Sequence, residues 1–434
     1  MIEVIMFKNI VRKKLQKYVQ QYFVKHPEVK LIVVAGSVGK TSTKRAIATI
    51  LSQRYRVRMH SGNHNSEISA PLAILGVEIP SKLTNIFGWL AVFRAARQRI
   101  NNPPEAEIII QELGSDHPGE MQQFGEYLKP DIALVTAVTP EHMEFFKNIQ
   151  AVAIEELSVG DFSKAVMINR DDIAAEDAAY MKNPNFNTYG TTGMAEYHIE
   201  ITDFSDGRTG LKGQITAPEL ATSLDIETKV VGEHSLRPVA GAVAVGLKMG
   251  LTPEQILAGI AAIEPVPGRM NPLSGMGEAL IIDDTYNSSP AAAAAALQAL
   301  YQFEGRSQRI AVLGDMNELG DVSAAEHAKL GRLCSPNLLS WVVTVGNEAA
   351  QYLAPAAKHR GNQVKVCRDA IEAGKFVRSV AQPDAVILVK GSQGGIYLEE
   401  AVKILCELGE YDELVRQSPE WMKIKQQYFE SLQA

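Results

Sequence analysis

The 434 residues, 46% hydrophobic and 21% charged, describe a globular chain longer than one core usually serves, so two or three domains are expected. A formal net charge of -7 argues against a general nucleic-acid binder, which needs a basic face, but leaves room for a local anion site. Cys334, Cys367 and Cys406 form no C-x-x-C pair, and neither a signal peptide nor an apolar run of membrane-spanning length is visible, so a reducing, cytoplasmic setting is expected.

Along residues 1–28, Ile2, Ile5, Ile10, Val11, Leu15, Val19 and Phe23 alternate with Lys8, Arg12, Lys13, Lys14 and Lys17. This predicts an amphipathic helix, packed on the following domain with a solvated basic face or meeting a partner protein or an anionic membrane surface. The apolar run Leu31 to Ala35 then ends in Gly36-Ser37-Val38-Gly39-Lys40-Thr41-Ser42 and passes into a helical stretch. Strand, phosphate loop and helix follow: backbone N–H groups and the helix N-terminus cradle phosphates, Lys40 reaches the outer ones, and the Thr41 hydroxyl suits Mg²⁺. The general G-x-x-x-x-G-K-[ST] pattern would place glycine at 34, where this chain has valine, so the loop is of a compact kind.

Next come a short strand at Tyr55 to Arg58 and a polar loop, Ser61-Gly62-Asn63-His64-Asn65-Ser66-Glu67, of the kind that lines ligand sites at strand ends. Glu107 to Leu113 reads as a strand ending in the carboxylate Glu112, suited to a second Mg²⁺ ligand. Asp131 to Val138 is another, followed by Thr139-Pro140-Glu141-His142, where His142 is a candidate metal or catalytic residue. Alternating strands and helices argue for a mostly parallel, doubly wound α/β sheet. From Phe186 to Val231 the period becomes two, which predicts a small β-rich subdomain appended to that sheet. Helices resume at Val239, with Gly250 as a C-cap and Thr252-Pro253 opening the next one. A second α/β unit, Rossmann-like in its alternation, begins near Pro267-Gly268-Arg269. Its strands end in Asp283-Asp284-Thr285-Tyr286-Asn287, Gly314-Asp315-Met316-Asn317-Glu318 and Lys390-Gly391-Ser392, and Ser288-Ser289-Pro290 caps an Ala-rich helix. The tail, Tyr411 to Ala434, reads as polar, helical and without chemistry.

GSVGKTSTK, GNHNSEISAPLAIL, ELG, TPEHMEFF, PVPGRM, DDTYNSSP, GDMNELG and LVKGS occur in the order found in the Mur ligases, and the chain resembles that family from about residue 29 to about 405. The resemblance implies an N-terminal helix over 1–28, a central ATP-binding domain over 29–267 and a C-terminal α/β domain over 268–434. It also implies an ATP- and Mg²⁺-dependent ligase that joins an acid to an amine through an acyl phosphate, with D-alanyl-D-alanine and a muramoyl-peptide cell-wall precursor as the leading substrates. Carried over by residue, Lys40 meets the β- and γ-phosphates, Thr41 and Glu112 a first Mg²⁺ and His142 a second. Arg269 and Asp284 reach the nucleotide on domain closure, while Asn63, Asn65, Asn287 and Lys390 face substrate.

Three departures leave alternatives open. Glu156 stands where the family has a lysine that becomes carbamylated; either it supplies a carboxylate near the second Mg²⁺, or it is a solvated helix residue. Ser235 and Pro238 stand where a G-x-H-N-x-x-N segment has asparagines, and Gln393 replaces an arginine. Only about 28 residues precede the first strand, too few for the family's UDP-gripping domain, so the acid is expected to lack UDP or to have it held elsewhere. A ligase for another acid, and a nucleotide-binding scaffold with decayed chemistry, are the competing readings. If Glu156 replaces the modified lysine, turnover should be indifferent to bicarbonate and Glu156→Ala should lower it sharply; bicarbonate-dependent turnover with an indifferent Glu156 refutes this.

Overall fold

The computed structural model describes residues 2–62, 64–80, 82, 85–204, 210–407 and 414–432. Short runs bounded by glycine or polar clusters become strands. In chain order these are β1 (Lys30–Ala35), β2 (Val57–Met59), β3 (Ile108–Glu112), β4 (Ile132–Val135), β5 (Ala165–Asn169), β6 (Phe186–Gly190), β7 (Tyr197–Asp203), β8 (Lys212–Thr216) and β9 (Leu224–Glu227). They form one sheet of order β2-β3-β1-β4-β5-β6-β7-β8-β9, parallel through β7 and antiparallel from β7 to β9. The period-two stretch thus continues the main sheet, its first strand β6 parallel to both neighbours and β7 to β9 antiparallel. Strands β1, β3, β4 and β5 are buried on both faces, as parallel sheets require, whereas β7 to β9 expose residues along one face.

Alternation along β1 divides its side chains between two cores. Leu31 and Val33 pack with helix α1 (Ile2–Lys25), while Ile32 and Val34 pack on the opposite face with α2 (Lys40–Leu51) and the helix Leu236–Lys248. Along α1, Val11, Leu15, Val19 and Tyr22 form a buried stripe at helical spacing. Burial of such side chains contributes roughly 1.5–3 kcal/mol each, an upper bound against an extended unfolded chain. The helix therefore packs on the first sheet's layer, against α3 (Ser69–Leu75) and α4 (Ile86–Asn101), with Lys8 and Arg12 each 2.9 Å from Glu67. No helix among the described residues is long and apolar enough to cross a membrane.

The second sheet comprises β10 (Asn271–Ser274), β11 (Leu280–Asp284), β12 (Arg309–Gly314), β13 (Trp341–Val345), β14 (Val364–Cys367) and β15 (Val386–Lys390), in the order β10-β11-β15-β12-β13-β14. Only the β10–β11 pairing is antiparallel. The Ala-rich helix Pro290–Tyr301 starts where expected, but the Ser289 hydroxyl makes no cap hydrogen bond; Pro290 at its first position presets φ without one. The strand expected to reach Val138 stops at Val135, because Ala137 and Thr139 turn to Ser37 of the phosphate loop and Val138 N–H goes to Asp172 O.

The tail does more than cover surface. Glu399, fully buried, receives Arg416 Nη2 at 2.7 Å and Lys425 Nζ at 3.0 Å, and Arg416 also donates to the carbonyls of Thr285 and Tyr286 beyond β11. Removing the shared carboxylate leaves two buried cations short of a counter-charge. Glu399→Gln should therefore destabilise the protein by about 3 kcal/mol, read as a lower urea midpoint at unchanged m, since Glu400 still holds Lys425.

Candidate active site

The carboxyl ends of β1, β3 and β4 converge on the Gly36–Thr41 loop. Gly36 has φ of +118°, and a Cβ there would lie 2.3 Å from the Thr136 hydroxyl oxygen and 2.8 Å from two backbone nitrogens, so only glycine fits. The loop is pinned from both sides: Ser37 N–H donates to Ala137 O, Ser37 Oγ and the Thr139 backbone bond each other, and Gly36 N–H donates to Glu156 Oε2 at 2.7 Å. Thr43 N–H returns to Gly39 O, while the N–H groups of Val38, Gly39, Lys40, Thr41 and Ser42 meet no acceptor among the described residues. These free donors at a helix N-terminus form a cradle for a polyanion.

Lys40 Nζ folds back to donate to Gly36 O and Ser37 O. Burial pulls its pKa down, but Glu141, Glu156 and Glu112 outweigh that, and the net shift is upward, so Lys40 stays charged. Thr41 Oγ1 donates to Glu112 Oε2 at 3.1 Å, and Lys44 Nζ lies 3.4 Å from the same oxygen. A hydroxyl and a carboxylate converging beside a phosphate cradle are the hard oxygen donors Mg²⁺ takes, so Thr41 and Glu112 fit that ion.

His142, in the left-handed region at φ +49°, presents Nε2 to Asp116 at 3.3 Å and to Glu141 at 3.5 Å, and Nδ1 to Glu318 of the second sheet's layer at 3.3 Å. Glu156 is buried, which removes the solvated-helix alternative; its carboxylate turns under the loop onto Gly36 and does not line the cleft. Neighbouring Glu155 is buried too, bonded to Ser115, Gly119 and Met121, and so braces the segment that carries Asp116.

The second half closes over this floor. Arg269 Nη2 lies 3.4 Å from Thr41 Oγ1, and its guanidinium stacks 4.3 Å from the Tyr286 ring centroid. Asp284 takes a 2.6 Å hydrogen bond from Lys390 Nζ, which also donates to Asn287 O. The cleft between the halves measures about 670 Å³, within the range of small-ligand sites, and Asn65, Asn287, Lys390 and the orphaned Ser289 hydroxyl line it. Asn63 lies outside the described residues. Elsewhere in the lining, burial pulls His234 down to about 4, leaving it neutral, and Arg237 meets Asp172 at 2.7 Å.

Residues 34–246 match the Mur ligase middle domain, and residues 268–393 match the Mur ligase glutamate ligase domain. The chain belongs to the Mur ligase family. A UDP-N-acetylmuramoyl-tripeptide–D-alanyl-D-alanine ligase of Bacillus subtilis (strain 168) is 29% identical over 384 residues, 87% of this chain and 76% of that protein. The ligase of the same name from Escherichia coli (strain K12) is 26% identical over 394 residues, 88% of this chain and 77% of that protein. Among solved structures, MurF from Acinetobacter baumannii shares the fold at a TM-score of 0.73 and 24% identity, covering 90% of this chain and 80% of that one. MurF ligase from Thermotoga maritima, in complex with ADP, does so at 0.70 and 22%, covering 96% and 85%.

Within this Mur ligase cleft, sequence reasoning passed over Lys44, Glu141, Asp116 and Glu318. Lys44 had a signal, since it falls one helical turn after Lys40 and so on the same face. Glu141 and Glu318 stood inside quoted motifs, and Glu141 directly precedes His142, but only the fold brings Asp116 and Glu318 to that histidine.

Burial pushes Glu156 from the ordinary 4.5 up to about 7, against the pull of Lys40 and the Gly36 N–H. Between those values the folded chain keeps a proton that the unfolded chain has released, so this group favours folding at the acid end and that advantage is lost as pH rises to 7. The melting temperature of the ligand-free protein, relative to that of Glu156→Gln, should therefore fall across pH 4.5 to 7; parallel profiles would refute the assignment.

Proposed function

We propose that this Mur-type ligase forms an amide bond at the expense of ATP, adding D-alanyl-D-alanine to a muramoyl-peptide cell-wall precursor in the cytoplasm. The observation that carries it is the cradle: free N–H groups from Val38 to Ser42 beside Lys40, facing Arg269 and Lys390 across one cleft. In the reaction, the acid's carboxylate oxygen attacks the γ-phosphorus, the bond from that phosphorus to the β–γ bridging oxygen breaks, and ADP leaves. The dipeptide nitrogen then attacks the acyl carbon, phosphate departs, and the nitrogen gives up a proton.

Each residue's contribution follows from charge. The loop amides and Lys40 hold the β- and γ-phosphates in line, Arg269 adds a cation from the opposite wall, and Lys390 with Asn65 and Asn287 orients the acid and the amine. Thr41, Glu112 and His142 would hold Mg²⁺, which neutralises charge between two mutually repelling anions. Glu156 acts from below, holding the Gly36 N–H and adding negative potential beneath the Lys40 ammonium. Bringing 29–267 and 268–434 together as two domains shields the acyl phosphate from water.

The test is substrate-dependent ADP release with hydroxylamine trapping. Incubation with ATP, Mg²⁺ and UDP-muramoyl tripeptide should yield a hydroxamate, D-alanyl-D-alanine should suppress it in favour of the amide, and Lys40→Ala should lower turnover about a hundredfold or more. Hydroxamate from some other acid alone would move the substrate assignment; none from any acid, despite bound nucleotide, would overturn the ligase reading.

A further inference from the structure

The outer stripe of α4 divides along its axis. Its first two turns expose Ile86 at 60%, Phe87 at 81% and Leu90 at 56%, whereas the following turns expose Arg94 and Arg97. The opposite stripe, Trp89, Val92, Phe93, Ala96 and Ile100, is buried in the core that α1 shares. The exposed trio is therefore surplus to folding: the helix is already anchored by its other face, and water is kept off none of these three side chains.

Charge gathers beside that apolar end. α1 carries six lysines and arginines and α4 three, against the single acid Glu3, in a chain whose formal charge is -7. Between the two helices lies a recess of about 500 Å³ lined by Lys14, Lys17, Tyr18 and Arg97. Lys14 sits 4.0 Å over the Phe93 ring and Arg97 Nε donates to Tyr18 Oη at 3.0 Å, so the aromatic floor holds both cations in place. Among the described residues none of Lys13, Lys14, Lys17, Arg94 and Arg97 makes an ion pair with a carboxylate. Burying an acidic protein partner here would require a surface complementary to both the apolar helix end and the recess. A lipid bilayer meets both demands without any shape requirement: acyl chains accept Ile86, Phe87 and Leu90, and anionic headgroups accept the cations a turn or two away.

We infer that the face formed by α1 and the outer stripe of α4 docks peripherally on an anionic membrane surface, with Ile86, Phe87 and Leu90 entering the interface and the Lys14–Lys17–Arg97 recess receiving lipid phosphate. The chain lies on the bilayer and does not cross it, consistent with the absence of a spanning helix among the described residues.

Flotation of the full chain with phosphatidylcholine vesicles, with or without about a third phosphatidylglycerol, tests this at low and high salt. Binding should require the anionic lipid and weaken with salt. Phe87→Ser with Leu90→Ser, and separately Lys17→Glu with Arg94→Glu, should each reduce the bound fraction at least tenfold. These residues are exposed and outside the cleft, so both variants should melt as the parent does and keep its ADP release in free solution; the ligase reading is thereby scored separately. Equal binding to neutral vesicles, or variants that float like the parent, would overturn the proposal. So would inorganic phosphate binding without vesicle binding, which reduces the recess to a simple anion site. A dimer that dissociates on Phe87→Ser, again without vesicle binding, would assign the face to a second copy of the chain.

Discussion

The site depends on keeping one ammonium group charged where little water reaches it. Burial disfavours the charged form of Lys40, and three carboxylates from three parts of the chain, Glu141, Glu156 and Glu112, more than offset it. The sheet order β3-β1-β4 delivers two of them: Glu112 ends one neighbour of β1, and Glu141 follows the other, while Glu156 rises from the helix Ile149–Leu157 beneath. The arrangement leaves the cleft poised, because a polyphosphate entering the cradle offers Lys40 a better anion than carboxylates that are themselves costly to bury.

The two sheets make unequal contributions to this balance. The first supplies the cradle and most of the negative charge; the second brings Arg269 to Thr41, Glu318 to His142 and the Lys390–Asp284 pair to the facing wall. Neither half alone surrounds a ligand. Binding of any ligand that touches both walls is therefore coupled to the mutual position of the halves, and the residues that join them lie more than a hundred positions apart in the chain.

Much of this was legible in the residues because the relevant physics is local. A buried strand ending in glycine, a lysine and a hydroxyl leading into a helix, or Pro after Thr at a helix start each announce themselves over a few positions. What stayed hidden is long-range. Glu156 sits in a helical run whose spacing allows a solvent-facing side chain, and only the packing of that helix beneath Gly36 buries it. His142 drew notice as a histidine at a strand end, but its three carboxylate neighbours come from separate loops. The period-two stretch after Phe186 revealed strands without revealing which sheet they would join, since pairing partners leave no mark on alternation. The tail's polarity concealed Lys425, whose ammonium is buried against Glu399 and Glu400.

That tail reaches the cleft by relay. Arg416 grips the carbonyls of Thr285 and Tyr286, Tyr286 supports the Arg269 guanidinium, and Arg269 stands over Thr41. During synthesis the phosphate cradle can form as soon as its own sheet has emerged, but the wall above it acquires its last brace only when residues near 416 and 425 leave the ribosome. In a nascent chain the cradle therefore precedes the wall that faces it, and that wall is completed last.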